Sequence, residues 1–209
     1  MRARYCAAAL SLTFACASAQ DSSTPQTVAI LYHFEQPYAQ RALQETEREL
    51  KALIGGDTLA LEWHDREDFE GKPTFSKIVV LNFQGACDPR SDSSFDGPMD
   101  GWLARMHVID GSVQPFGDVN CDLIRAVMTS APHSTGLTDQ EFGHGLARVL
   151  AHELYHFLTQ STEHAAQGLE KPSFSRQDLV SENLRPDRRE LDHLSKSMLL
   201  QPSRDELGW

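Results

Sequence analysis

The sequence is short of cysteine. Four occur in 209 residues, and two of them, Cys6 and Cys16, fall within the first twenty. Such a chain is no disulfide-dense scaffold, and it lacks the paired cysteines of a thiolate zinc cluster. Basic charge is also in deficit: 19 lysines and arginines against 30 aspartates and glutamates leave a net charge of −11. A surface of that sign repels phosphate backbones and anionic lipid, so no nucleic-acid partner is expected. Beyond residue 17 no apolar run is long enough to cross a bilayer, so no transmembrane segment is expected. Internal repeats and low-complexity tracts are missing too, which excludes a solenoid. What is there is an ordinary globular composition, 40% hydrophobic, at a length suited to one domain.

The first residues read as a removable leader. Arg2 and Arg4 precede a small, apolar stretch from Tyr5 to Ala17, and Ala17-Ser18-Ala19 offers a cleavage site before Gln20. Residues 1–19 are therefore expected to be a signal peptide, and the mature protein to be secreted or periplasmic; lipidation at Cys16 is the alternative, with a poor lead-in. Removal leaves Cys87 and Cys121. In an exported chain these are expected to form one disulfide.

Along the rest of the chain, Thr27 to Phe34 reads as a strand and Glu35 to Ile54 as an amphipathic helix stopped by Gly55-Gly56. Leu59 to His64 alternates like a half-buried strand, and Lys77 to Phe83 is apolar enough for a central one. This order predicts a sheet with a helix packed on one face. Asp88 to Gly101 is an acidic loop whose aspartates fit no calcium-loop spacing. Arg105 to Ile109 reads as an edge strand, Asp118 to Met128 as a short helix carrying Cys121, and Asp187 to Leu200 as a helix in which Met198 packs.

Thr138 and Glu141 form a capping-box pattern that starts a helix running to about Leu158. At 100° per residue, Phe142, Leu146, Val149, Leu150, Leu154 and Phe157 fill half its circumference, the mark of a core helix. His152 and His156 stand one above the other at the edge of that half. Two histidines so placed suit one tetrahedral zinc. Glu153 falls inside the apolar half, where a carboxylate is costly unless a nearby metal compensates it. Arg148, His144 and Tyr155 fall off this face: Arg148 and His144 are read as facing solvent, and Tyr155 as packing or hydrogen-bonding locally. His33, His64, His107, His133 and His193 have no ligand-like spacing. Lys171-Pro172 comes after the histidine segment and is a candidate for shaping its cleft.

The run His152-Glu153-Leu154-Tyr155-His156 is an H-E-x-x-H helix, and with it the sequence resembles the zincin superfamily of metallopeptidases. The strand order before it resembles, more loosely, the metzincins, and the stretch after His156 resembles small secreted bacterial proteins with the same motif. The resemblance implies an α+β, zincin-like fold: a mixed twisted sheet with an edge strand, a backing helix, a central active-site helix and a small C-terminal helical cap from Leu179. It implies a single domain over 20–209, with subdomains of about 27–159 and 160–209. It also implies one zinc per chain held by His152 and His156, with Glu153 as general base, and a peptide or protein substrate.

The chain departs from the metzincin pattern after His156. The expected glycine and third histidine are replaced by Thr159 and Thr162. His164 is the nearest histidine, and in an unbroken helix it would lie about 12 Å along the axis from His156. It can be the third ligand only if the helix ends near residues 158–161, where Ser161-Thr162 is a plausible break. Glu182 and Glu163 are the alternatives. No Met-turn is evident, and no tyrosine or histidine is assignable as transition-state donor. Two functions remain open: a zinc endopeptidase whose substrate pairs with the 105–109 strand, or a zinc-stabilised binding module without catalysis.

Overall fold

A computed structural model describes residues 25–71, 74–92, 95–130, 136–181 and 184–199. The leader, Cys16, His133, Glu182 and the end of the C-terminal cap lie outside the described residues.

Five strands form one mixed sheet in the order β2-β1-β3-β5-β4. Strands β1 (Gln26–Phe34), β2 (Leu59–Asp65), β3 (Lys77–Gln84) and β5 (Ser112–Asn120) run parallel, and β4 (Ala104–Ile109) is antiparallel to β5 at one edge. The alternation of β1 sorts its side chains. Val28 and Ile30 point into the main core, while Ala29 and Leu31 join Phe75 in a smaller cluster on the opposite face. Helices α1 (Gln40–Ile54) and α3 (Asp139–Thr159) cover the main face, as the sequence predicts for a sheet with helices on one side. α1 begins five residues later than its periodicity suggests, because Pro37 and the extended backbone at Ala39 hold the chain open before Gln40.

The sequence pattern does not reveal β5. Its residues 118–120 were expected to open a helix, yet α2 (Cys121–Thr129) starts only after the strand, capped by the Asn120 side chain. Pro115 and Gly117 hide the strand, since both weaken the local strand signal. Tertiary pairing overrides them: β5 is held on one side by β3 and on the other by β4, whose register shifts between Met106 and Val108. Asp110 (φ 50) and Gly111 (φ 78) make the tight left-handed turn that joins β4 to β5.

α3 is the axis of the molecule. Its capping box forms as expected, Thr138 and Glu141 satisfying each other's backbone N–H. Every residue from Gly145 to Leu158 is buried. Close approach to α1 needs glycine at 143, where a Cβ would sit 2.6 Å from Glu45 Cβ and 2.7 Å from the Ala42 carbonyl oxygen. Burial on all sides also overturns the reading of Arg148 as solvent-facing. It is 1% exposed, donates to the Leu179 carbonyl and pairs with Glu49 at 3.7 Å. His144 is likewise half-buried, against Arg48 and Glu49.

The Cys87–Cys121 disulfide forms, fastening the loop after β3 to the start of α2. After α3 the chain carries only α4 (Arg176–Val180) and α5 (Arg188–Leu199) among its described residues. Met198 is fully buried in α5, as packing.

Candidate metal centre

α3 stops where the third histidine requires it to. The chain turns left-handed at Gln160 (φ 55), whose N–H and that of Ser161 both reach the His156 carbonyl. The Gln160 side chain then donates to the Val113 carbonyl of β5 at 3.0 Å, so a sheet contact holds a turn that glycine usually makes. This break folds residues 161–164 back, and His164 arrives beside His152 and His156. Its ring centroid lies 5.3 Å from that of His152 and 4.8 Å from that of His156. One ligand atom from each of the three lies within 4.8 Å of the others, and no other such group occurs among the described residues. Glu163 is exposed and outside the group, and the aspartates of the 88–101 loop do not converge.

Backbone carbonyls set the two helix histidines. His152 Nδ1 faces the Leu169 oxygen at 2.5 Å, and His156 Nδ1 faces the Ser161 oxygen at 2.6 Å. A carbonyl only accepts, so each Nδ1 carries the ring proton and each Nε2 presents a lone pair. Those two Nε2 atoms are 3.0 Å apart. Two bare acceptors in contact repel, and a cation between them removes the repulsion. Burial together with the neighbouring histidines pushes His152 down to about 4, and burial lowers His156 in the same direction, so the His152 ring is a neutral donor at physiological pH. This donor set fits zinc.

Glu153 is 8% exposed and accepts from the Met106 N–H of β4 at 2.8 Å. Burial pushes its carboxyl up to about 7, the Met106 N–H opposing the rise. Two cavities open on either side of Glu153. One of about 400 Å3 lies toward Trp102, Val127 and Phe174, and one of about 260 Å3 lies toward Val108, Thr162 and His164. Pro172 lines both, as its position after the histidine segment suggested, while Lys171 pairs with Asp178 at 2.7 Å.

Several partners were not legible in the sequence. The Leu169 and Ser161 carbonyls and the Met106 N–H are backbone groups, invisible to any motif. The Tyr155 hydroxyl bonds His193 Nδ1 at 2.8 Å across to α5, a distant partner where a local one was expected. Only the Asp187-x-x-Glu190 pattern at the start of α5 could have been noticed as a cap.

No family model matches the chain, and no curated protein matches it. Among solved structures it is similar to the archaemetzincin of Methanopyrus kandleri, at 9% identity over 85% of this chain and 97% of that one, with a TM-score of 0.47. It is also similar to a zinc-dependent peptidase from Methanocorpusculum labreanum, at 8% identity over 80% of this chain and 99% of that one, with a TM-score of 0.52. The second likeness, at that identity, establishes the fold alone: a mixed sheet with helices packed on it, as in that structure.

Proposed function

We propose that the chain is a zinc-dependent peptidase, with one zinc per chain held by His152, His156 and His164 and with Glu153 as general base. The observation that supports it most is the pair of buried histidines whose Nδ1 atoms are committed to carbonyls and whose Nε2 atoms converge on each other. Zinc in such a site acidifies water and polarises a carbonyl. Glu153 takes the proton released when water attacks the scissile carbonyl and delivers it to the leaving amine. The Met106 N–H holds the carboxylate against β4, the edge strand of the described sheet. An extended peptide pairing with that edge would carry its scissile bond past Glu153, with side chains entering the cavities on either side.

The reading extends to export, after removal of residues 1–19, and to one catalytic unit over 20–209 divided near residue 160. The Cys87–Cys121 disulfide supports an oxidising compartment.

Elemental analysis of the purified protein, with His164→Ala and Glu182→Ala variants, tests the metal. One zinc per chain is expected, with affinity lowered more than about a hundredfold in the His164 variant, beyond the loss typical of a supporting group. Loss in the Glu182 variant instead would move the third ligand there, and a zinc-free unmutated protein would end the reading. Glu153→Gln then separates enzyme from binding module: turnover of an unstructured protein substrate should fall by about 10²–10⁴ while zinc stays bound.

A further inference from the structure

The peptide unit between Leu169 and Glu170 is held from both sides. Its carbonyl accepts from His152 Nδ1 at 2.5 Å, and its N–H donates to Glu190 Oε1 at 3.0 Å. A peptide is planar, with C=O and N–H pointing in opposite directions. One rigid plate therefore joins a carboxylate on α5 to a histidine on α3. Glu190 is 5% exposed, and its surroundings are shaped to it. Gly168 takes a left-handed conformation (φ 79), and a Cβ there would come 2.5 Å from Glu190 Oε1. Burial raises the Glu190 pKa, while the N–H groups of Asp187, Glu170 and Leu169 hold it down.

Helix capping explains only part of this. Asp187 and Glu190 cap each other, the Asp187 N–H donating to Glu190 Oε2 at 2.5 Å and Asp187 Oδ1 accepting from the Glu190 N–H at 2.9 Å. That box uses Oε2. The other oxygen, Oε1, reaches 20 residues back along the chain to the plate behind His152.

We infer that Glu190 is a positioning residue of the metal site, acting through the Leu169–Glu170 peptide to fix the tautomer and orientation of His152. Histidine ligands commonly lean on a carboxylate or a carbonyl; here the two are in series. The carboxylate polarises the peptide, which makes the Leu169 oxygen a stronger acceptor and His152 a better donor. The inference rests on the zinc reading for its consequence, but the tautomer can be read without metal.

The test compares Glu190→Gln, Gly168→Ala and Asp187→Ala in the full chain. Glu190→Gln weakens the acceptor behind the plate, Gly168→Ala pushes it from the other side, and Asp187→Ala removes only the helix cap. Zinc titration should show affinity about 10–100-fold weaker in the first two and within about twofold of unmutated in the third. In zinc-free protein, ¹⁵N shifts of the His152 ring should report Nδ1–H in the unmutated and Asp187 variants and a tautomer mixture in the other two. Cobalt put in place of zinc should show its visible bands displaced in the same two variants only. If Glu190→Gln does not fold, Gly168→Ala carries the comparison. Unchanged affinity and tautomer in both would reduce Glu190 to a helix cap. An unmutated protein that binds no zinc, with the tautomer difference intact, would sink the zinc reading and leave the relay standing.

Discussion

The residues up to Thr159 and those after Gln160 are built differently, and the candidate centre lies across the seam. The first part has five strands, two long helices and a disulfide, and it buries nearly all of α3. It supplies His152, Glu153 and His156. Among its described residues the second has helices of five and twelve residues and long irregular connections, yet it supplies His164 and the carbonyls behind both helix histidines. A few ties dock it: Arg148 to the Leu179 carbonyl, Tyr155 to His193, and Gln26 to the Met198 carbonyl. The difference teaches that the candidate ligands on a rigid helix take their orientation from a part with no strand among its described residues. Metal affinity and global stability should therefore respond to different residues.

The largest expected contrast sets Leu150 against Leu194. Both are buried, at 0% and 4% exposure. Leu150→Ala should lower the global unfolding free energy by about 2–5 kcal/mol in denaturant titration. Leu194→Ala should show first as faster amide exchange confined to residues 160–199, with weakened zinc binding. Equal loss of global stability in the two variants would break the comparison.

Reducing the Cys87–Cys121 disulfide comes next. The bridge spans 34 residues inside the first part, and its loss should cost about 4 kcal/mol on the chain-entropy account. Neither cysteine touches the histidine group, so zinc affinity measured on reduced, folded protein should hold. A fall in affinity would show that the sheet side also tunes the centre.

The smallest effect concerns Glu153 in zinc-free protein. Its folded carboxyl titrates at about 7, above the usual 4.5. A raised carboxyl favours folding while protonated, so that contribution is present below about 4.5 and is lost as pH rises through 7. Glu153→Gln should therefore stabilise the zinc-free protein at pH 8 relative to pH 5, by up to about 3 kcal/mol. His152, pushed down to about 4, works the other way, removing stability as pH falls from 6.5 toward 4. Thermal melts across pH 4–9 separate the two limbs. A variant whose melts track the unmutated protein at every pH would mean that Glu153 is solvated.

Much of the first part was legible because its signals are local. The capping box at Thr138, the apolar half of α3 and the His-Glu-x-x-His spacing depend only on helical geometry, and all are in place. β5 was not legible because Pro115 and Gly117 speak against a strand, and only neighbours on both sides overrule them. Arg148 was misread for a related reason. Periodicity assigns a polar face to solvent, but α4 and α1 cover that face and supply a carbonyl and a carboxylate.

The sequence alone determined the helix, the pair of histidines one turn apart and the carboxylate between them, since all come from a 3.6-residue repeat. It also restricted the third ligand to a short set by requiring the helix to break. The tertiary structure decided the rest. His164 joins the pair because Gln160 is held left-handed by a bond to β5, and His152 keeps its tautomer because a peptide 17 residues away turns its carbonyl toward the ring. Backbone groups carry no residue type, so what they orient becomes visible only when the chain has folded.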